Sequence, residues 1–212
     1  DARMVPAQAG GFRLADYDEA AAHDWSWLEE CRTGRRVLAP TTLIGRPSPT
    51  ATRLVDATSN GYAAHRDPGQ ALRHALLEVI ERDAVLLTWH LGLQTQKLEL
   101  PRPAAFPAAV EVHAFLVTQD IHVPVVLFLA VREDGSLRCA GGAGTSFDEA
   151  WERATLEMQA ACATPLLVLA PGAPAPGTDD AGCAFGPEDH FRYYQHTGRA
   201  RAAIAAIQAR AA

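Results

Sequence analysis

Residues 122–131, HVPVVLFLAV, are apolar at nearly every position. A run this short, bounded by turn residues, predicts a strand in the middle of a sheet with both faces covered. Upstream, VEVHAFLVT predicts a second strand, joined to the first by a turn at Gln119-Asp120. Downstream, EDGS turns the chain into a third, LRCAGG. Elsewhere the spacing is helical. A long helix is predicted from Pro68 to about His90, and another from Phe147 to about Ala163. Asp18 to Arg32 reads as a helix stopped at Gly34, and Arg199 to Arg210 as a weak alanine-rich one. Val37 to Ile44 reads as an edge strand interrupted by Pro40. A short strand and a tight Asn60-Gly61 turn precede the long helix. Pro47 to Thr52 reads as a loop, Gln94 to Ala109 as irregular chain, and APGAPAPGTDDAGC as a connector. The fold class expected is a mixed α/β one, with helices layered on a mixed sheet.

The two strongest helices match each other. One opens with Asp67 as N-cap, Pro68 at its first position and Gln70 three residues after the cap. The other opens with Ser146 and has Glu149 three residues on. Both read as capping boxes, in which cap and third residue satisfy each other's backbone N–H groups. Eleven residues beyond each cap stands a glutamate, Glu78 in one helix and Glu157 in the other, so that QALRHALLE lies over EAWERATLE. The second helix also spells SxxExxER with Ser146, Glu149, Glu152 and Arg153, but the repeat singles out Glu157.

At about 100° per residue, Leu72, Leu76, Val79, Ile80 and Leu87 form the main apolar stripe of the first helix. His74, Glu78, Glu81, Arg82 and Val85 fall on the opposite arc, bordered by Ala71 and Ala75. Small residues beside carboxylates suit the approach of something large. The plainer reading is a surface ion pair from Glu78 to Arg82, worth about 0.3–0.5 kcal/mol.

Bulk properties narrow the classes. The 212 residues are 48% hydrophobic and 21% charged, a globular composition. A net charge of -6 without a basic run argues against a duplex nucleic-acid binder. No apolar stretch is long enough to span a membrane, and DARMVPAQAGG has no signal-peptide pattern. Cys31, Cys139, Cys162 and Cys183 lie far apart, which fits buried thiols in a reducing cytoplasm better than a zinc site or disulfide scaffold.

The segment SNGYAAHRDPGQALRHALLEVIERDA closely resembles the SNG…ExxER block of the YcaO family. WLEECRTGRRVLAPTTLI, the Thr118, Asp120, Pro124 turn, GGAGTSFDEAWERATLE and EDHFRYY are similar to further family segments in the same order. The resemblance implies a YcaO-like fold and ATP-dependent modification of peptide backbone amides. In such chemistry a nucleophile adds to an amide carbonyl and ATP phosphorylates the resulting oxyanion, with release of ADP. Loss of phosphate then gives an azoline, the route to thiazole/oxazole-modified peptides, or a thioamide or amidine. Carried over by position, Glu78, Glu81 and Glu157 would hold magnesium, Arg82 would orient them or touch phosphate, and Asn60 would help frame the nucleotide. The implied partners are a precursor peptide, a separate leader-peptide-binding protein and a second copy of the chain. The family's earlier SxxExxER segment has no counterpart upstream, so residues 1–212 read as a single YcaO-like domain without the family's N-terminal portion. The alternative is an incomplete, non-catalytic subunit that binds a partner. A hydrolase built on Glu78 and Glu81 is disfavoured, because neighbours three apart on one helix point the same way and cannot flank a substrate.

Overall fold

The computed structural model describes residues 17–20, 22–44, 59–99, 103, 106, 110–133, 135–163 and 197–211. The chain divides into two compact units, residues 1–59 and 60–212. In the first, β1 (Trp25–Glu29) and β2 (Arg36–Pro40) form an antiparallel hairpin, with Trp27 opposite Leu38 and Glu29 opposite Arg36. A single helical turn, α1 (Thr41–Ile44), follows Pro40.

The expected helix over Asp18–Arg32 is therefore replaced by a strand and a turn. The WSWLE segment alternates, with Trp25, Trp27 and Glu29 more exposed than Ser26 and Leu28, which is a two-residue period. Gly34, expected to stop a helix, has φ 70° and closes the hairpin turn, where its N–H donates to the Glu30 carbonyl. Cross-strand pairing, with the Arg36 guanidinium 4.6 Å from the Trp27 ring centre, overrides the helical preference of the upstream alanines.

The second unit is built on a four-stranded sheet in the order β3 (Gln96–Lys97), β4 (Glu111–Leu116), β5 (Val125–Val131), β6 (Leu137–Ala143), with every neighbouring pair antiparallel. β5 lies between two partners and all seven of its residues are buried, as its composition predicts. Phe115, Leu127 and Leu129 point to one face of the sheet. There they pack with Leu77 and Ala84 of α2 (Pro68–Leu86) and with Ala200, Ile204 and Ile207 of α4 (Thr197–Gln208). Val126, Phe128 and Ala140 point to the other face, against Ala150, Ala154 and Met158 of α3 (Phe147–Ala163). Thr118 secures the β4–β5 turn, its Oγ1 accepting from the Val125 N–H at 3.1 Å. α2 runs on through a π-helical turn, Leu87–Leu91, and ends at Gly92 with φ 65°. The short strand expected before Asn60, the connector APGAPAPGTDDAGC and EDHFRYY lie outside the described residues.

The helix starts are half as expected. Asp67 caps α2, accepting from the Gly69 N–H at 2.7 Å, but the Asp67 N–H donates to His65 Nδ1. Ser146 Oγ accepts from the Glu149 N–H, while the Glu149 carboxylate accepts from the N–H and hydroxyl of Thr145. In both cases a closer acceptor-donor pairing displaces the return bond of the capping box.

Burial on α2 corrects the projected stripe. Leu72, Leu76 and Val79 are exposed, whereas Leu77, Glu81, Ala84 and Thr88 are buried. These four are spaced i, i+4, i+7, i+11, so the sheet-facing stripe includes a carboxylate in place of the more apolar arc.

α3 approaches β6 closely at Gly142, where a Cβ would collide with the backbone of Ala150 and Ala154. Gly142→Ala is expected to destabilise the fold by about 1–3 kcal/mol in urea unfolding, through overpacking. Gly198→Ala, on α4 with nothing within 4 Å of its added Cβ, serves as control and is expected to be neutral or slightly stabilising.

Candidate functional site

Glu81 projects from the sheet-facing stripe of α2 onto β6, and Gly141 makes room for it. A Cβ on Gly141 would lie 2.6 Å from Glu81 Oε1 and 2.9 Å from Cδ and Cγ. The carboxylate therefore rests on bare strand backbone. It is 6% exposed, and the Arg82 Nε lies 4.0 Å from its Oε1, too far for a charge-assisted hydrogen bond. Burial pushes Glu81 up to about 7, the Glu157 charge adds to the rise, Arg82 and Arg153 oppose it, and Glu78 contributes a smaller upward push.

Glu157 comes from α3 on the other face of the sheet. The Glu157 side chain is open to solvent although much protein surrounds it, so water screens it better than Glu81. It too is pushed up, by desolvation and by Glu78, against the pull of Arg82 and Arg153. The two helices thus bring their carboxylates together around β6, the edge strand of the described sheet. Cys139, two residues before Gly141 on the same strand face, belongs to this neighbourhood. Its thiol is reached by solvent but densely surrounded. Crowding and the Glu157 charge push it up, Arg82 pulls it back, and Glu81 adds a smaller push.

Of the residues singled out in the sequence, Glu78, Glu81, Arg82 and Glu157 share one electrostatic neighbourhood. Asn60 lies in the turn that rests on the middle of α2, where a Cβ on Gly61 (φ 79°) would be 3.0 Å from Val79 Cγ2. Val79 directly follows Glu78. Arg153 and Gly141 complete the setting and were not legible as site residues. Arg153 precedes Glu157 by one helical turn, but it read as part of a decoy motif. Gly141 read only as a strand residue.

The cysteines differ from expectation. Cys31 and Cys139 are exposed and Cys162 is partly buried, all three as free thiols, and Cys183 lies outside the described residues.

The donor set suits a hard cation: carboxylate oxygens, one of them buried without a close counter-charge. Among the described residues, no three His, Cys, Asp or Glu side chains stand close enough together to hold a metal ion between them. Magnesium does not require such a cage, since it is commonly held by one or two carboxylates, waters and the phosphates of a bound nucleotide. Arg82 and Arg153 are the positive charges that act on both Glu81 and Glu157.

The buried carboxylate has a pH signature. Glu81 holds its proton more tightly when folded (about 7) than at its ordinary value of 4.5, so stability rises as pH falls across that interval. The gain is complete below 4.5, is lost as pH rises through about 7, and amounts to at most about 3 kcal/mol. Glu149, held down to about 2, acts only at more acid pH and with the opposite sign. Thermal unfolding without divalent cations is expected to show a higher midpoint at pH 5.5 than at pH 8. Glu81→Gln should abolish most of that difference, and an unchanged difference would refute the burial argument.

Comparison with known proteins follows the same lines. The family profile described as YcaO cyclodehydratase, ATP- and Mg2+-binding, matches residues 3–208. No protein of curated function matches the chain. The heterocyclase TruD superposes with a TM-score of 0.54 at 23% identity, covering 68% of this chain and 23% of its own. The E. coli microcin synthetase McbBCD complex with pro-MccB17 bound gives 0.57 at 16% identity, covering 64% of this chain and 39% of that one. YcaO from Methanopyrus kandleri, bound with AMPPCP and Mg2+, gives 0.52 at 21% identity, with coverages of 64% and 39%. The chain thus spans 23% to 39% of the length of these solved chains. At such identities the superpositions establish the shared helix-and-sheet fold. No helix among the described residues is long and apolar enough to cross a membrane. The profile covers nearly the whole sequence, and the chain belongs to the YcaO family.

Proposed function

We propose that this chain takes part in ATP- and magnesium-dependent activation of peptide backbone amides, with azoline-forming cyclodehydration as the reaction. The observation that carries the reading is the Glu81 carboxylate, buried on Gly141 within reach of the charges of Glu157, Glu78, Arg82 and Arg153. Such an arrangement is costly empty and is relieved by a divalent cation.

In this reading Glu81, Glu157 and Glu78 would hold the ion, and Arg82 and Arg153 would orient the phosphate chain. Asn60, on its turn against α2, frames the nucleotide. When bound, magnesium ATP would supply the phosphoryl group that turns the amide oxygen into a leaving group once a nucleophile has added to the carbonyl carbon. The residues of this chain contribute position and charge neutralisation, the main demands of phosphoryl transfer. A precursor peptide is the substrate class. The fold shared with the heterocyclase TruD and with the microcin synthetase McbBCD complex with pro-MccB17 bound supports that choice, and a separate recognition protein fits the same picture. Self-association in the cytoplasm completes the proposal.

Calorimetric titration of the folded chain with ATP and magnesium tests it. Saturable heat that requires magnesium is expected. Glu81→Gln should weaken binding at least about tenfold, the equivalent of losing one charge-assisted contact of about 1.4 kcal/mol. Glu78→Gln should stop peptide-dependent phosphate release with the circular dichroism spectrum unchanged. A folded chain giving no heat would instead favour a partner-binding subunit without a working nucleotide site.

A further inference from the structure

The site gathers like charges from two helices on opposite faces of a sheet, so something must hold those helices against the repulsion. Arg73 and Glu149 stand where such a tie is needed. Arg73 Nη2 donates to both Glu149 carboxylate oxygens at 2.6 Å and to Thr145 Oγ1 at 3.2 Å. Glu149 also accepts from the Thr145 N–H at 2.8 Å and from its hydroxyl at 2.9 Å. Its carboxyl is held down to about 2, with the Arg73 hydrogen bond as the chief cause. Both side chains are partly shielded, at 34% and 25% exposure, so this contact is more than a loose surface pair.

The helical spacing connects the contact to the site. Arg73, Leu77 and Glu81 recur at i, i+4, i+8 and lie along one stripe of α2. Glu149, Arg153 and Glu157 have the same spacing on α3. The two stripes are of equal length and are joined at one end by the Arg73–Glu149 contact. Glu81 and Glu157, which stand about 12 Å further along their helices, are near enough for the Glu157 charge to act on Glu81. We infer that the Arg73–Glu149 pair is a positioning latch that keeps α2 and α3 in register, so that Glu81 and Glu157 confront each other ready for a shared cation. Neither residue is among those proposed to hold the cation or the nucleotide. The inference deepens the proposed function and rests on it for the ligand, but the mechanical coupling is testable without any ligand.

The test is a pair of measurements on Arg73→Gln, Glu149→Gln and the exchanged double variant Arg73→Glu/Glu149→Arg. In magnesium–ATP titration the single variants are expected to bind about tenfold more weakly, and the exchange to recover at least half of that loss on a logarithmic scale. In thermal unfolding without ligand, Arg73→Gln should lower the midpoint by about 3 °C. Adding Glu157→Gln, which removes the repulsion, should return most of that drop. A merely structural pair would lower the midpoint without changing affinity, and Glu157→Gln would then raise the midpoint by the same amount with or without Arg73. Additive midpoints in the Arg73 and Glu157 cycle, or single variants that bind as wild type does, would overturn the latch. If wild-type protein binds no nucleotide, the proposed function fails, while the unfolding cycle still decides the latch by itself.

Discussion

A carboxylate buried on a glycine organises this protein. Glu81 lies between Leu77 and Ala84 on the buried, sheet-facing side of α2, where an aliphatic residue would ordinarily add to the core. Its side chain is accommodated because Gly141 presents no Cβ beneath it. The desolvation of that carboxylate is unfavourable, and the charges of Glu157 and Glu78 make it worse. Favourable packing elsewhere must compensate. The all-buried strand β5, covered by α2 and α4 on one side and α3 on the other, provides it.

The adjacent glycines of β6 have separate tasks. Gly141 admits a side chain from one face, and Gly142 admits a helix backbone from the other. Because successive strand residues point to opposite faces, two neighbouring positions serve α2 and α3 independently. The edge strand thereby becomes a thin partition around which two helices bring their acidic stripes together. Arg82 and Arg153 moderate the repulsion without closing on the buried carboxylate, which leaves negative charge for a cation to meet.

Much of this was legible in the sequence, and the failures have physical causes. β5 could be read because a strand covered on both faces has no polar positions to confuse its period. The starts of α2 and α3 could be read because Asp67 and Ser146 are strong caps, and the equal depth of Glu78 and Glu157 followed from them. The hairpin of Trp25–Pro40 was missed because its upstream alanines favour helix, while its strand character depends on cross-strand pairing that no local window contains. The face of α2 was missed because hydrophobic projection assigns glutamate to solvent. Only the coordinates of Gly141 show that the sheet has a vacancy for it. Arg73 and Glu149, 76 residues apart, carried no local sign of their pairing. Family likeness pointed to the glutamates as site residues, but not to which one is buried.

The central claim is that Glu81 is a buried carboxylate kept for a divalent cation. Anomalous X-ray diffraction from crystals soaked in manganese and a non-hydrolysable ATP analogue tests it most directly. The expected result is a manganese peak about 2.0–2.2 Å from a Glu81 oxygen, with Glu157 or Glu78 in the same coordination sphere. A well-ordered nucleotide with no peak near Glu81, or a metal held elsewhere with Glu81 still resting on Gly141, would contradict the account.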